Sequence, residues 1–218
     1  MARAKKYCEA DLILLYDLKR HVGNNKSPLL IKWLDCKTEL NAGEQYIFDF
    51  ILKNAQEKID GWHEEELKMK FISFVLHLGH LVDNPVYNTY FERTVESTVE
   101  EHYLKIKTDF MIAKGILDKP QNPYFHFQEW KKHRDPTGDP VAQLLEAFLI
   151  AQEINQNDNP IYGCTVTGKY WEFFIMSGKN YFISKSYDCT ESDDLMKIIA
   201  VLRKFNHILE TKLLKAGA

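Results

Sequence analysis

The sequence has few cysteines, no long apolar run and no excess of basic residues. Its four cysteines are widely spaced and form no Cys-x-x-Cys pair, which argues against a zinc ribbon or a disulfide framework. No stretch approaches the roughly 20 apolar residues of a membrane span, and no signal-length apolar segment follows the basic N-terminus. The formal net charge of −3 excludes a global basic field. Any contact with nucleic acid must therefore come from a local basic patch. We expect the protein to act in the reducing cytoplasm and to have no membrane partner.

The chain has enough apolar residues for a sizeable core. It contains 218 residues, of which 45% are hydrophobic and 13% aromatic, as is typical of globular proteins. We expect an N-terminal helical extension over 1–58 and a second unit over 59–218. The apolar spacing predicts helices over 9–23, after Asn41 (where Glu44 completes a capping box) and from near His63 towards Gly79, with a short helix or loop over 28–40.

The second unit mixes strands and helices. A spacing of two predicts strands over 90–98 and 102–113 with a turn at Glu100–Glu101, and a third strand follows a loop over 118–123. Asp139 and Pro140 mark the start of a helix that runs to about 155. Three further strands (161–167, 170–176 and 180–186) and a closing helix (191–214) follow. This order predicts an α/β fold with a central mixed β-sheet flanked by helices.

Two carboxylates and an ammonium group lie in the apolar strands over 107–113 and 124–131. Glu129 and Lys131 share one face of their strand because side chains two residues apart point the same way. Asp109 joins them if the two strands pair. Burying such charges without compensation costs several kcal/mol each, and a divalent cation is the natural compensation.

These features resemble the PD-(D/E)XK nuclease superfamily, which has the restriction-endonuclease-like fold, over about 60 to 210. The matching segments are Lys107–Phe110, Pro123–Lys132, Asp139–Leu145 and Ile161–Cys164. Within that superfamily, the sequence most resembles small uncharacterised bacterial members. It implies that Asp109 and Glu129 bind Mg²⁺ (Mn²⁺ being possible), that Lys131 is the catalytic lysine, and that Gln143 is the glutamine of the following helix. It also implies a helical glutamate, for which Glu64 and Glu65 are the candidates.

The sequence departs from the family pattern at two positions. Thr108 stands where the family often has proline, and a bulky Trp130 fills the variable position between Glu129 and Lys131. Neither change removes a proposed ligand. The resemblance implies hydrolysis of phosphodiesters, with DNA as the expected substrate, the adjacent Lys132, His133 and Arg134 as contacts to the phosphate backbone, and a possible homodimer.

Simpler interpretations stand beside each of these. Glu129 and Lys131 could form an ordinary ion pair on an exposed strand, and Glu64 and Glu65 could only compensate the helix dipole. Gln143 could serve as a helix cap. Two further functions therefore stay open: a catalytically degenerate member of the fold that binds nucleic acid or protein, and an interaction module that uses its N-terminal helices.

Overall fold

The computed structural model describes residues 6–132 and 139–213, which form a mixed β-sheet with helices on both faces. Seven strands are ordered β1-β7-β6-β5-β4-β3-β2, and β8 pairs with β6. The pairs β1–β7 and β4–β5 are parallel, and the others are antiparallel. The predicted α/β class with a central mixed sheet is confirmed.

The helices and strands alternate along the chain. The helices are α1 (Glu9–Tyr16), α2 (Pro28–Leu34), α3 (Ala42–Lys58), α4 (Glu64–Leu67), α5 (Ser73–Leu78), α6 (Pro140–Asn155) and α7 (Ser192–Ile208), and short 3-10 or π turns cover Ile59–Gly61, Lys68–Ile72 and Leu209–Leu213. The strands are β1 (Lys19–Val22), β2 (Asn88–Val99), β3 (His102–Ile116), β4 (Lys119–Lys131), β5 (Ile161–Thr167), β6 (Tyr170–Ser177), β7 (Asn180–Ile183) and β8 (Tyr187–Asp188).

Two hydrophobic cores lie on opposite faces of the sheet. Consecutive residues of β3 alternate between them: Phe110 belongs to one core and Met111 to the other, as the two-residue period of a strand requires. On the first face His126 of β4 packs on Phe205 of α7, and on the second Phe127 packs on Phe148 of α6. Strand β4 is thus covered on both sides, which explains its unbroken burial from Phe125 to Trp130.

Local signals place several elements where the sequence predicts them. The side chain of Asn41 accepts hydrogen bonds from two backbone N–H groups of α3, and Glu44 bonds back to the Asn41 N–H. This capping box is confirmed. Asp139 caps α6 through the Ala142 N–H, and Pro140 occupies the first helical position. The hairpin of β2 and β3 turns at Glu100–Glu101 as predicted.

Two predicted elements are wrong in extent. The helix expected over 9–23 ends at Tyr16, because Asp17 adopts a left-handed conformation (φ 52°) and the next residues form β1. Hydrogen bonding of β1 to β7 outweighs the helical spacing of leucines. The loop expected over 118–123 is shorter, since only Leu117 and Asp118 turn and β4 already begins at Lys119.

Helix α3 packs on the core through a narrow face. Phe48, Ile51 and Ala55 are buried, whereas Tyr46 and Phe50 are exposed. The first 58 residues nevertheless supply much of the core. Trp33 of α2 is fully buried against Tyr162, Phe173 and Phe205, and its indole N–H donates to the Val201 carbonyl.

In the part of the chain that the structure describes, none of the helices combines the length and the apolar character needed to cross a membrane.

Candidate active site

Asp109, Glu129 and Lys131 lie together on neighbouring strands. In the β3–β4 register Phe110 pairs with Gln128, so Asp109, one residue earlier, falls opposite Glu129. Opposed residues of an antiparallel pair point to the same face. Lys131 follows on that face, and its Nζ lies 3.9 Å from Oδ2 of Asp109. The juxtaposition expected from the sequence is therefore present.

Burial sets the electrostatics of the two carboxylates. Glu129 is only 1% exposed, and neither of its oxygens has a hydrogen-bond partner among the described residues. The nearby Thr108 hydroxyl lies 3.2 Å from the Phe110 carbonyl oxygen and 3.3 Å from that of Gln128, and its single proton serves one acceptor at a time. Burial, together with the negative charge of Asp109, holds the pKa of Glu129 well above its usual range. Lys131, Thr108 and Lys68 oppose this rise without cancelling it, so Glu129 is a buried acid that is only partly compensated.

Asp109 is better compensated than Glu129. Its Oδ2 accepts the backbone N–H of Trp130 at 2.7 Å, and its Oδ1 accepts a hydrogen bond from Nζ of Lys68 at 3.0 Å. Burial still raises the pKa of Asp109, while the Trp130 N–H and the two lysines oppose that rise. The backbone hydrogen bond explains why the bulky residue at position 130 is tolerated, since its main chain faces the site while its ring stacks on Phe110.

The structure distinguishes the two candidate glutamates of the helix before the sheet. Oε1 of Glu64 lies 3.1 Å from Nζ of Lys68, and Oε2 of Glu64 lies 3.8 Å from Nζ of Lys131. The Glu65 side chain is 83% exposed and reaches only Lys68, at 3.8 Å. Glu64 therefore belongs to the cluster, whereas Glu65 lies at its rim.

Two members of the cluster were not predicted from the sequence. Lys68 begins the π turn between α4 and α5 and contacts the carboxylates of Glu64, Glu92 and Asp109 at 2.9 to 3.1 Å. Glu92 faces Asp109 from β2, between the register pairs Phe91–Phe110 and Arg93–Thr108, and also pairs with Lys107. The Lys107 and Lys68 ammonium groups lower the pKa of Glu92 to about 2.

Only one of these two residues has a signal in the sequence. Lys68 stands four residues after Glu64, the spacing of an ion pair on a helix. The role of Glu92 depends on strand pairing and on a left-handed backbone (φ 55°), which is unusual for glutamate. Such conformations concentrate at functional sites. No residue pattern predicts the left-handed conformation of Glu92.

Gln143 and Lys132 are the other predicted site residues that the structure describes. Gln143 lies in the first turn of α6, and its buried Oε1 has no hydrogen-bond partner in the described part of the chain. No hydrogen bond or ion pair between described residues joins Gln143 to the carboxylates. Lys132 is exposed at the end of β4, while His133 and Arg134 fall outside the described residues.

The donor set fits a magnesium ion in its chemistry. Mg²⁺ prefers oxygen ligands and usually takes one or two carboxylates while it keeps several waters. Asp109 and the unpartnered Glu129 supply such oxygens, and Glu64 and Glu92 lie beside them. Across residues 6–132 and 139–213, however, no group of three or more His, Cys, Asp or Glu side chains is arranged as a metal-binding set. Lys68 lies among the carboxylates instead.

The edge of the sheet beside Lys131 carries further polar groups. In the register of β4, β5 and β6, Lys131 pairs with Thr167, and Thr167 pairs with Tyr170. The Gly168 N–H donates to the Lys131 carbonyl at 2.7 Å, which holds the β5–β6 turn next to Lys131. Tyr170 is 48% exposed there, whereas Trp171 is fully buried. Trp171 therefore serves sheet packing, and Tyr170 offers an accessible ring at the rim.

Comparison of the chain with protein-family models and with curated proteins found no match to either.

Proposed function

We propose that the protein is a metal-dependent nuclease of the PD-(D/E)XK type, which hydrolyses phosphodiesters in DNA and uses Mg²⁺ or Mn²⁺. One observation carries the proposal: a fully buried, unpartnered Glu129 stands beside Asp109 and Lys131 on adjoining strands. A buried acid whose oxygens have no hydrogen-bond partner among the described residues costs folding free energy, which favours a role as a ligand over a structural role. A cation ligand, in contrast, needs free oxygens.

The chemistry follows from these side chains. Asp109 and Glu129 would hold the metal ion, which would lower the pKa of a water molecule and polarise a phosphoryl oxygen. The Lys131 ammonium, on the same face, orients the attacking water or offsets the negative charge that develops on the phosphate. The Trp130 N–H fixes the Asp109 carboxylate in place through its 2.7 Å hydrogen bond.

The local charge at the sheet edge supports nucleic acid as the substrate. The net charge of the chain is −3, so a phosphate backbone needs a confined basic patch. Lys131 and the exposed Lys132 supply positive charge beside the carboxylates, and Lys169, which pairs with Asp188 at 2.9 Å, lies in the adjoining β5–β6 turn. Tyr170 adds a ring on which a base can stack. The four cysteines are free thiols, which agrees with action in a reducing cytoplasm.

A specific observation favours a second candidate function. The Lys68 ammonium already neutralises Asp109 at 3.0 Å, and a site whose charge is balanced without metal is what a degenerate, non-cleaving member of the fold would have. In that case the lysines beside the carboxylates would bind nucleic acid, and the protein would not hydrolyse it.

Cleavage assays separate the two functions. The full chain is incubated with single-stranded DNA, duplex DNA and RNA in Mg²⁺, in Mn²⁺ and in a chelator. A nuclease cleaves only with metal and loses this activity in Glu129→Gln and in Lys131→Ala. The matched control is Glu146→Gln, which changes a buried carboxyl on α6 outside the cluster. Binding without cleavage supports the second function, and cleavage that survives in Glu129→Gln contradicts the first.

A further inference from the structure

The Lys68 ammonium occupies the place where a cation would bind the carboxylate cluster. Its Nζ lies 2.9 Å from Glu92, 3.0 Å from Asp109 and 3.1 Å from Glu64, with Glu65 at 3.8 Å. The Lys68 side chain is only 11% exposed. An ordinary surface lysine pairs with one carboxylate and stays in water, so this arrangement asks for another explanation.

The backbone aims Lys68 at the cluster. A π turn over Lys68–Ile72 interrupts the helical segment between α4 and α5, and Lys68 is its first residue. Such turns insert a residue and are frequent at functional sites. On the other side, Glu92 reaches Lys68 from a left-handed position within β2. Two irregular backbone features thus converge on one ion-pair cluster.

The charges near Asp109 are nearly balanced without any metal. Three carboxylates (Glu64, Glu92 and Asp109) form ion pairs with three ammonium groups (Lys68, Lys107 and Lys131), and the exposed Glu65 lies 3.8 Å from Lys68. A divalent ion bound to Asp109 would add two positive charges beside a lysine that bonds to the same carboxylate. Like charges at that distance repel strongly in a partly buried site. Lys68 and the metal ion therefore compete for Asp109.

We propose that Lys68 is a built-in counter-ion that competes with the divalent metal ion, so that metal binding requires the Lys68 side chain to leave Asp109. This inference rests on the proposed metal site. It makes Lys68 a residue that lowers metal affinity and holds the carboxylates together when no metal is bound. Metal occupancy then depends on where one side chain lies.

The test is a titration of the full chain with Mn²⁺ by isothermal titration calorimetry. Lys68→Met should bind Mn²⁺ about 10-fold or more tightly than the unmodified chain, because the competing charge is gone. Lys68→Arg keeps the charge and should bind no more tightly. The matched control is Lys107→Met, which also removes an ammonium group from Glu92 but forms no ion pair with Asp109 among the described residues. It should change the affinity by less than about 3-fold, as expected for an exposed, screened charge.

Thermal unfolding gives a second measurement that does not require activity. Without metal, Lys68→Met should melt at a lower temperature than Lys107→Met, since its carboxylates repel each other unopposed, and Mn²⁺ should restore most of the loss. Restoration should vanish when Asp109→Asn is added. A Lys68→Met chain that binds Mn²⁺ no more tightly than Lys107→Met, or that Mn²⁺ fails to stabilise, overturns the inference.

The outcome separates this inference from the proposed function. Tighter Mn²⁺ binding by Lys68→Met without cleavage by any variant supports the role of Lys68 and contradicts the nuclease. Cleavage by the unmodified chain, together with unchanged affinity in Lys68→Met, supports the nuclease and contradicts the role of Lys68. Absence of Mn²⁺ binding in every variant contradicts both.

Discussion

Both faces of strand β4 bury polar side chains, but the side chains on one face are hydrogen-bonded to each other and Glu129 on the other face is not. On the α7 side, the indole N–H of Trp130 donates to the side-chain oxygen Oε1 of Gln128 at 2.9 Å. The side-chain amide nitrogen of Gln128 in turn donates to Nε2 of His126 at 3.0 Å. On the other side, Glu129 is ionisable and its oxygens are unpartnered. The same strand thus holds a chain of neutral hydrogen bonds and an acid that is only partly compensated.

The difference separates a structural polar group from a functional one. Neutral groups that bond to each other cost little when buried and fix the packing of their neighbours. Burial also keeps His126 neutral, since it lowers the pKa of that ring to about 3. A buried acid without a hydrogen-bond partner costs folding free energy instead, which favours a role other than stability for Glu129. We therefore expect substitutions on the two faces to have opposite effects on stability and on activity.

Glu129→Gln should produce the largest effect. Cleavage should fall by about 10³-fold, because a metal-binding carboxylate is lost. Stability at pH 8 should nevertheless rise by about 1–3 kcal/mol, because the amide carries no charge to bury. Urea denaturation of both chains, with cleavage rates measured on the same preparations, tests the pair of effects.

The pH dependence of Glu129→Gln supplies its control. Folding raises the pKa of Glu129, so the folded state keeps the proton longer and wild-type stability falls as pH rises from about 4.3 through the folded pKa. The advantage of the variant should be absent near pH 4 and grow towards pH 8. A variant less stable than the wild type at pH 8 would show that Glu129 is compensated, and the contrast between the faces would be lost.

Gln128→Ala should act in the opposite direction. It leaves the Trp130 N–H and Nε2 of His126 without their partner and opens a cavity, so stability should fall by about 2–4 kcal/mol. Cleavage per folded molecule should stay within about 2-fold of wild type. The same substitution at exposed Gln45, on α3, is the matched control. Loss of cleavage in fully folded Gln128→Ala would show that both faces serve the reaction.

Glu146→Gln should sharpen the comparison, because Glu146 is a buried acid away from the cluster. Burial raises its pKa to about 7, so wild-type stability should decline as pH rises from about 4.3 to 7. The variant should gain about 1–2 kcal/mol over the wild type between pH 5 and pH 8, after allowance for partial solvent access. Exposed Glu153 on the same helix, changed to Gln, should show no such gain. Reduced cleavage in Glu146→Gln would extend the site beyond the strands.

The sequence predicts the strands that carry the site better than it predicts the first helix. Segments 107–113 and 124–131 are rich in aromatic and aliphatic residues typical of strands, and this signal is local. The predicted helix over 9–23 is wrong in its second half because Lys19–Val22 forms a strand that pairs with Asn180–Ile183. That partner strand lies more than 150 residues away in the sequence. Helical spacing alone cannot reveal such a contact.

The same distinction applies to the site. Asp109, Glu129 and Lys131 can be found because strand periodicity fixes which side chains share a face. Lys68 and Glu92 join them only through the packing of a π turn and through a left-handed residue in β2. The spacing of Lys68 from Glu64 predicts an ion pair between those two residues, but no residue pattern predicts the π turn or the left-handed backbone. The choice between Glu64 and Glu65 likewise depends on the rotation of a short helix relative to the sheet.

The smallest expected effect concerns those two glutamates. Glu64 contacts both Lys68 and Lys131, so Glu64→Gln should weaken Mn²⁺ binding by about 3- to 10-fold through loss of a negative charge beside the metal. Glu65→Gln removes the same charge from the neighbouring, exposed position and should change the affinity by less than about 2-fold, because solvent screens it. Calorimetric titration of the two variants measures the difference. Equal losses of Mn²⁺ affinity in the two variants would mean that the cluster attracts the metal ion through its total negative charge. Metal binding would then not depend on which glutamate lies closest to the buried face of β4.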